Sequence, residues 1–171
     1  LLNTILGRPI SIATRKPQTT RLRILGIDTE GSHQAIYLDT PGIHRGGSAF
    51  NRCLNRQAWG AWEEADIFLW ILDRGYFKPE DKMILERLIT IQKPIIVAFN
   101  KMDKNPQTEA VQERVNTLPF QTPLFYFTNA KRRKTLQPLR QKIFELLPLK
   151  EHQYEKNLLT TQSMQFMACE R

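Results

Sequence analysis

Asp39-Thr40-Pro41-Gly42, read together with Asn100-Lys101-Met102-Asp103, decides the fold. The first run follows an apolar strand, Ala35-Ile36-Tyr37-Leu38, and the second follows Ile95-Ile96-Val97-Ala98-Phe99. Each motif therefore stands at the carboxyl end of a strand, where open α/β sheets build their ligand sites. An Asp at such an end can hold Mg²⁺ through its water shell, and the Gly can bring a bare N–H to a terminal phosphate. A carboxylate at Asp103 can accept both the N1–H and the exocyclic amine of guanine. Adenine lacks that donor pair and would leave the carboxylate unsatisfied, at a cost of ~1–3 kcal/mol or more. Asn100 would tie the loop to its neighbours, and the Lys101 stem would cover one face of the base. Together the motifs read as a guanine-nucleotide-binding domain.

The rest of the chain fits that reading. Leu2, Ile5 and Leu6 recur at helical spacing and Gly7 stops the helix. Arg8 to Arg21 reads as a loop; its adjacent hydroxyls, Thr19 and Thr20, suit a Mg²⁺ ordered by a γ-phosphate. Arg21 to Ile27 alternates as a strand, Glu30-Gly31-Ser32 turns, and Gln34 to Leu38 returns, which predicts an antiparallel hairpin. Ala49 to Glu64 reads as a helix with Leu54, Ala58, Ala61 and Ala65 on its inner face. Ile67 to Leu72 is continuously apolar, as for a strand covered on both faces. A helix from Pro79, a strand at Pro94 to Phe99, a helix at Gln107 to Leu118, a strand at Pro123 to Phe127 and a helix at Thr135 to Leu147 follow. This order predicts an α/β fold, and the family resemblance given below implies the P-loop-NTPase (small G domain) kind. Its sheet is mixed and mostly parallel, with helices on both faces and right-handed crossovers. The expected organisation is a partial GTPase domain over 1–148, a linker over 149–159 and the start of a further domain over 160–171.

Bulk properties set limits on this. At 171 residues and 41% apolar content the chain can build one packed core. No apolar run reaches the ~18 residues of a membrane span. Cys53 and Cys169 are unpatterned, and the three histidines lack ligand spacing. Thiol usage points to a reducing compartment. A net charge of +8 favours polyanionic partners, RNA or an anionic membrane face.

The resemblance then becomes specific. Leu1-Leu2-Asn3, Ile10-Ser11-Ile12, Arg15-Lys16-Pro17-Gln18-Thr19-Thr20-Arg21 and Gln34 through His44 resemble the Era family of bacterial GTPases. Ser163, Phe166-Met167-Ala168 and Glu170 resemble the opening of that family's KH-type RNA-binding domain. The resemblance implies a GTP-hydrolysing switch that uses Mg²⁺ with GTP or GDP. It also implies a role in small-subunit assembly, with 16S rRNA and the small ribosomal subunit as partners. It implies a bacterial cytoplasmic location and leaves room for peripheral inner-membrane association. Position by position, Thr19 or Thr20 takes the switch I threonine role, with Thr20 and Asp39 toward the metal. Asp39, Thr40, Pro41 and Gly42 take the Mg²⁺ and γ-phosphate loop, and Asn100, Lys101 and Asp103 read the base. Asn129, Ala130 and Lys131 form the last guanine loop, where the Ala130 N–H could meet the guanine O6. Ile43 stands where Ras-like proteins place a water-orienting Gln, so hydrolysis is expected to be slow.

Three departures accompany the resemblance. The family's first strand and P-loop belong before Leu1, so the 171 residues alone are expected to bind nucleotide poorly and to leave two strand edges unpaired. The family's Ser-Ala pair, with a Gly four residues after the Ser, corresponds here to Asn129-Ala130 and Arg133, inside the basic run Lys131-Arg132-Arg133-Lys134. The chain stops before any RNA-clamping Gly-x-x-Gly loop. Two readings stay open at this point. One is a GTPase of ribosome assembly; the other is a non-hydrolysing relic, a pseudo-GTPase serving as scaffold or RNA-binding module.

Overall fold

The computed structural model describes residues 1–11, 24–40, 49–74, 76, 79–104, 111, 113, 117 and 124–161. They belong to two compact units: one contains Leu2–Ala65 and Leu147–Arg171, the other Asp66–Leu146 with Leu1. Their strands form two separate sheets, a pair and a trio, and no described strand bonds to both.

The first unit is built on a hairpin. Strand β1 (Ile24–Glu30) pairs antiparallel with β2 (His33–Asp39), in a register running from Ile24↔Asp39 to Glu30↔His33. β1 thus runs past the expected end at Ile27. A two-residue loop closes the hairpin, with Gly31 at its first position and a φ of 60°. Such loops require positive φ there to match the twist of the strands. The short helix α1 (Leu2–Leu6) ends at Gly7, whose φ is 69°. The Arg8 N–H then reaches back to the Asn3 carbonyl at 3.1 Å, closing the helix end. Leu2 and Ile5 are buried. α1 approaches β1 so closely that a Cβ on Gly26 would stand 2.8 Å from Leu6 and 2.9 Å from Leu2 side-chain carbons. Helix α2 (Ala49–Glu64) buries Ala58 and Ala61.

Residues 149–159 carry no helix or strand, yet they do not behave as a free tether. The Ile27 N–H donates to the Leu159 carbonyl at 2.8 Å, which covers part of the outer edge of β1. Gln34 grips the same segment. Its Oε1 accepts the N–H groups of Gln153 and Tyr154 at 2.9 and 3.0 Å, and its Nε2 donates to the Tyr154 carbonyl at 2.9 Å. One side-chain amide thereby stands in for a strand-to-strand bridge.

The second unit is a parallel sheet in the order β3-β4-β5, from β3 (Phe68–Asp73), β4 (Ile95–Asn100) and β5 (Leu124–Phe127). β4 is its centre. Ile96, Val97, Ala98 and Phe99 are all fully buried, so both faces of this strand are covered. β3 differs from the expectation. Phe68, Trp70 and Leu72 are buried, but Ile71 is 46% exposed, because β3 lies at the edge of the described sheet. Helix α3 (Pro79–Leu88) starts on its proline, which has no N–H to leave unpaired. Helix α4 (Arg133–Leu146) begins two residues before the expected Thr135 and buries Leu136, Leu139 and Ile143. The expected helix at Gln107 to Leu118 lies outside the described residues except at 111, 113 and 117, and all but the first two residues of 160–171 do so too.

Replacing Gln34 by Ala should release residues 150–159 from the hairpin. The Gln153 and Tyr154 amides should then exchange with solvent roughly tenfold faster or more, since each lost bond contributes about 0.5–1.5 kcal/mol. Unchanged exchange would show that other contacts hold the segment.

Candidate guanine-nucleotide site

β4 delivers Asn100 at its last position, beside its register partner Asp73 at the end of β3. Both strands then leave the sheet in the same way. Arg74 and Lys101, each one residue further on, have φ of 52° and 59°. Left-handed backbone at a non-glycine residue costs about 1–3 kcal/mol and persists only where surroundings enforce it. The Asp73 carboxylate contacts the side chains of both. Its Oδ2 accepts from Lys101 Nζ at 3.0 Å and its Oδ1 from Arg74 Nε at 3.2 Å. The Arg74 N–H donates to the Asn100 carbonyl at 2.8 Å, extending the ladder by one rung. Partial burial pushes the Asp73 carboxyl up. The hydrogen bond and charge of Lys101, with those of Arg74, outweigh this and hold it below the usual carboxylate value.

The chain continues into a 3₁₀ turn, Met102–Lys104, which carries Asp103. Asp103 is exposed, and no group among the described residues hydrogen-bonds to its carboxylate. Asn100 does not face outward. Its Oδ1 accepts the Ala130 N–H at 2.8 Å and so fastens the loop after β5 to the end of β4. That loop is stiffened from within. Asn129 Oδ1 accepts the Lys131 N–H at 2.9 Å, in an Asx turn. The Asn129 N–H donates to Thr135 Oγ1 at 3.0 Å, and the Arg132 N–H to the Asn129 carbonyl at 2.8 Å. An Asn at this position thus makes a closed turn of its own. The Ala130 N–H, expected at a guanine oxygen, is engaged by Asn100. Lys101, expected along a base, has its ammonium on Asp73, and Lys131 is exposed.

Asp39 belongs to the other unit. It ends β2 opposite Ile24, and its Oδ2 accepts the Ser11 hydroxyl at 2.5 Å. Ser11 is itself fixed from α1: Asn3 Oδ1 accepts the Ile10 and Ser11 N–H groups at 2.8 and 2.7 Å, and Asn3 Nδ2 donates to the Ser11 carbonyl at 2.6 Å. Ser11 holds one carboxylate oxygen. The other is bonded by no described residue, which suits a hard cation approached through water. Thr40 is half-buried, while Thr19, Thr20, Pro41 and Gly42 lie outside the described residues.

Three residues that organise these loops had no role in the sequence reading. Asp73 was signalled only as an acid closing a buried apolar strand. Ser11 and Asn3 entered only as matching positions in a resemblance.

Residues 1–101 match the model of the 50S ribosome-binding GTPase family, and the chain belongs to that family. Within it, the similarity is to Era. The chain is 39% identical over 173 residues to GTPase Era of Pseudomonas fluorescens, covering 99% of this chain and 58% of that protein. It is 38% identical to GTPase Era of Pseudomonas aeruginosa, covering 57% of it. Among solved structures it resembles Era in complex with MgGDPNP and nucleotides 1506–1542 of 16S ribosomal RNA. That match has a TM-score of 0.90 and 28% identity, over 99% of this chain and 59% of that one. A point variant of Aquifex aeolicus Era bound to GDP·AlF4⁻ matches with a TM-score of 0.89 and 28% identity, over the same shares. The fold is therefore that of a small P-loop GTPase domain, and the chain spans under three fifths of the length of the relatives it matches.

Asp73→Asn should loosen both left-handed residues. Because the Asp73 pKa is depressed on folding, its contribution to stability is present above the unfolded value near ~3.9 and is lost as pH falls through the lower folded value. The pair is partly exposed, so its loss should cost only about 0.2–1 kcal/mol at neutral pH. Urea titrations at about pH 7 and about pH 3 should show a smaller stability difference in the variant than in the parent. An identical acid dependence would remove Asp73 from this role.

Proposed function

We propose that the protein is a guanine-nucleotide switch that hydrolyses GTP in small-subunit ribosome assembly. The observation that carries this reading is the Asp103 carboxylate. It stands exposed, without a partner among the described residues, on a turn whose two preceding residues are held, Asn100 by the Ala130 N–H and Lys101 by Asp73. A loop so constrained presents an acceptor in a fixed place, and a guanine edge supplies the matching pair of donors. Asn100 positions the last guanine loop. The Lys101 stem is available to cover the base while its ammonium stays on Asp73. The Ala130 N–H serves the guanine oxygen only by sharing its hydrogen with Asn100.

For the phosphate end we infer that Asp39, oriented by Ser11, contacts the water shell of Mg²⁺, with Thr20 as a direct ligand and Thr19, Thr40, Pro41 and Gly42 in the surrounding loops. Bound Mg²⁺ would neutralise charge on the phosphate oxygens. Ser11 and Asn3 fix the direction from which Asp39 acts. Ile43 carries no group that can orient water, so turnover should be slow. The 16S rRNA and the small subunit are the proposed partners, by similarity to the Era–RNA complex and in keeping with the net charge of +8. We infer a cytoplasmic location from the family resemblance. Among the described residues no helix is long and apolar enough to cross a membrane, and peripheral contact with an inner-membrane surface is compatible with the charge.

At its full natural length the protein should prefer GTP and GDP to ATP. Asp103→Ala should weaken guanine nucleotides by ~1–3 kcal/mol or more, roughly 5- to 150-fold, and leave ATP unaffected. Fluorescence titration with labelled nucleotides measures both. Equal binding of GTP and ATP by the parent would refute the base-reading role and favour the non-hydrolysing scaffold.

A further inference from the structure

We propose that the exposed basic run Lys131–Lys134, which leads into the first turn of α4, docks on an RNA sugar-phosphate backbone. This rests on the ribosomal-RNA reading above and names a surface for it outside the segment that resembles a KH domain.

Between Asn129 and Phe144 the sequence carries six basic residues and no acidic one; Lys142 pairs with Glu145 just beyond, at 2.6 Å, so the excess positive charge is concentrated at Lys131–Lys134. Lys131, Arg132, Arg133 and Lys134 are all exposed, and none forms a salt bridge with a carboxylate among the described residues. Their placement works against the helix. Arg133 and Lys134 are its first two residues, where the macrodipole favours anions and cations are disfavoured. Their charge does nothing for local structure either, since Thr135 and Asn129 close the turn through their own hydrogen bonds. A run of cations at the wrong end of a helix is a stability defect that an approaching polyanion would turn into a gain.

The charge also has a direction. Lys134, Gln137 and Gln141 are exposed on the side of the helix away from the buried Leu136, Leu139 and Ile143, in line with Glu145, and Arg140 flanks the buried stripe, half-buried. Arg140 lies over the Phe144 ring, 4.7 Å from its centroid, which holds one guanidinium in place. Guanidinium and amide groups suit phosphate and sugar contacts, the kind that position a protein on nucleic acid. A membrane-seeking helix would pair such charges with exposed large apolar side chains. None of the exposed large hydrophobic residues lies between Asn129 and Phe144. RNA is therefore the partner that the chemistry favours.

The test uses the protein at its full natural length with the triple substitution Arg132→Gln, Arg133→Gln and Lys134→Gln, none of which touches the proposed base-reading carboxylate. Filter binding to purified 16S rRNA is measured across a salt series, beside GDP titration and thermal melting. The expected result is a roughly tenfold or greater loss of RNA affinity and a salt slope shallower by about 2, the share of three phosphate contacts. GDP affinity should be unchanged, and the melting temperature unchanged or higher because the dipole conflict is relieved. The charge-preserving pair Arg132→Lys and Arg133→Lys should bind RNA within about twofold of the parent. Unchanged RNA affinity and slope in the triple variant would overturn the proposal. So would equal losses in the triple and charge-preserving variants, or a loss seen only on phosphatidylglycerol vesicles. A parent protein that binds no 16S rRNA would instead remove the ribosomal reading on which the proposal stands.

Discussion

The hydrogen bond from the Ala130 N–H to Asn100 Oδ1 is the constraint on which the candidate base-reading site depends. It joins the ends of two neighbouring strands through a side chain, beside the backbone bonds from the Thr128 N–H to the Phe99 carbonyl and from the Met102 N–H to the Thr128 carbonyl. β4 can place Asn100 reliably because four consecutive residues before it are wholly buried. Side chains of different size packed on both faces leave such a strand little room to shift. Rigidity made by hydrophobic burial is thus handed to a polar loop by a single amide.

Asp73 completes the arrangement from the other side. The two described non-glycine residues with left-handed backbone follow register partners on adjacent strands, and one carboxylate holds both side chains. Strain at a loop end then has a definite source of support, a charge-assisted contact in a partly buried setting. The carboxylate proposed for the phosphate end is held by a similar chain of polar contacts. Asp39 is oriented by Ser11, and Ser11 by Asn3 on the five-residue helix α1. In each unit the acidic group proposed for ligand contact, the exposed Asp103 or the half-buried Asp39, has neighbouring polar residues that bond the chain around it.

Much of this was legible in the sequence because it is written in local pattern. The hairpin follows from alternation and a glycine at its turn, and β4 from an unbroken β-branched and aromatic run. Asn100 and Asp39 stand out as polar residues ending apolar strands, and Asp103 as an acid three residues beyond one. What was not legible depends on contacts far apart in sequence. Gln34 holds Tyr154 across 120 positions, and nothing in the composition of residues 149–159 distinguishes a docked segment from a free tether. Asp73 reads as an ordinary strand terminus until β4 is set beside it. Ile71 belongs to an apolar run that implies two covered faces, and only its place at the edge of the described sheet exposes it. The Ser-to-Asn departure at Asn129 reads as damage to a motif, yet the larger side chain closes the turn by itself.

The measurement that tests the central claim most directly compares GDP, IDP and ADP as ligands for the protein at its full natural length. Hypoxanthine keeps the N1–H of guanine but lacks the exocyclic amine, so it offers Asp103 one donor where guanine offers two. The account predicts graded affinity, GDP above IDP by roughly tenfold and IDP above ADP, because each lost donor leaves the carboxylate less satisfied. Equal affinity for GDP and IDP would mean that Asp103 does not read the base edge, and the account of this site would be wrong.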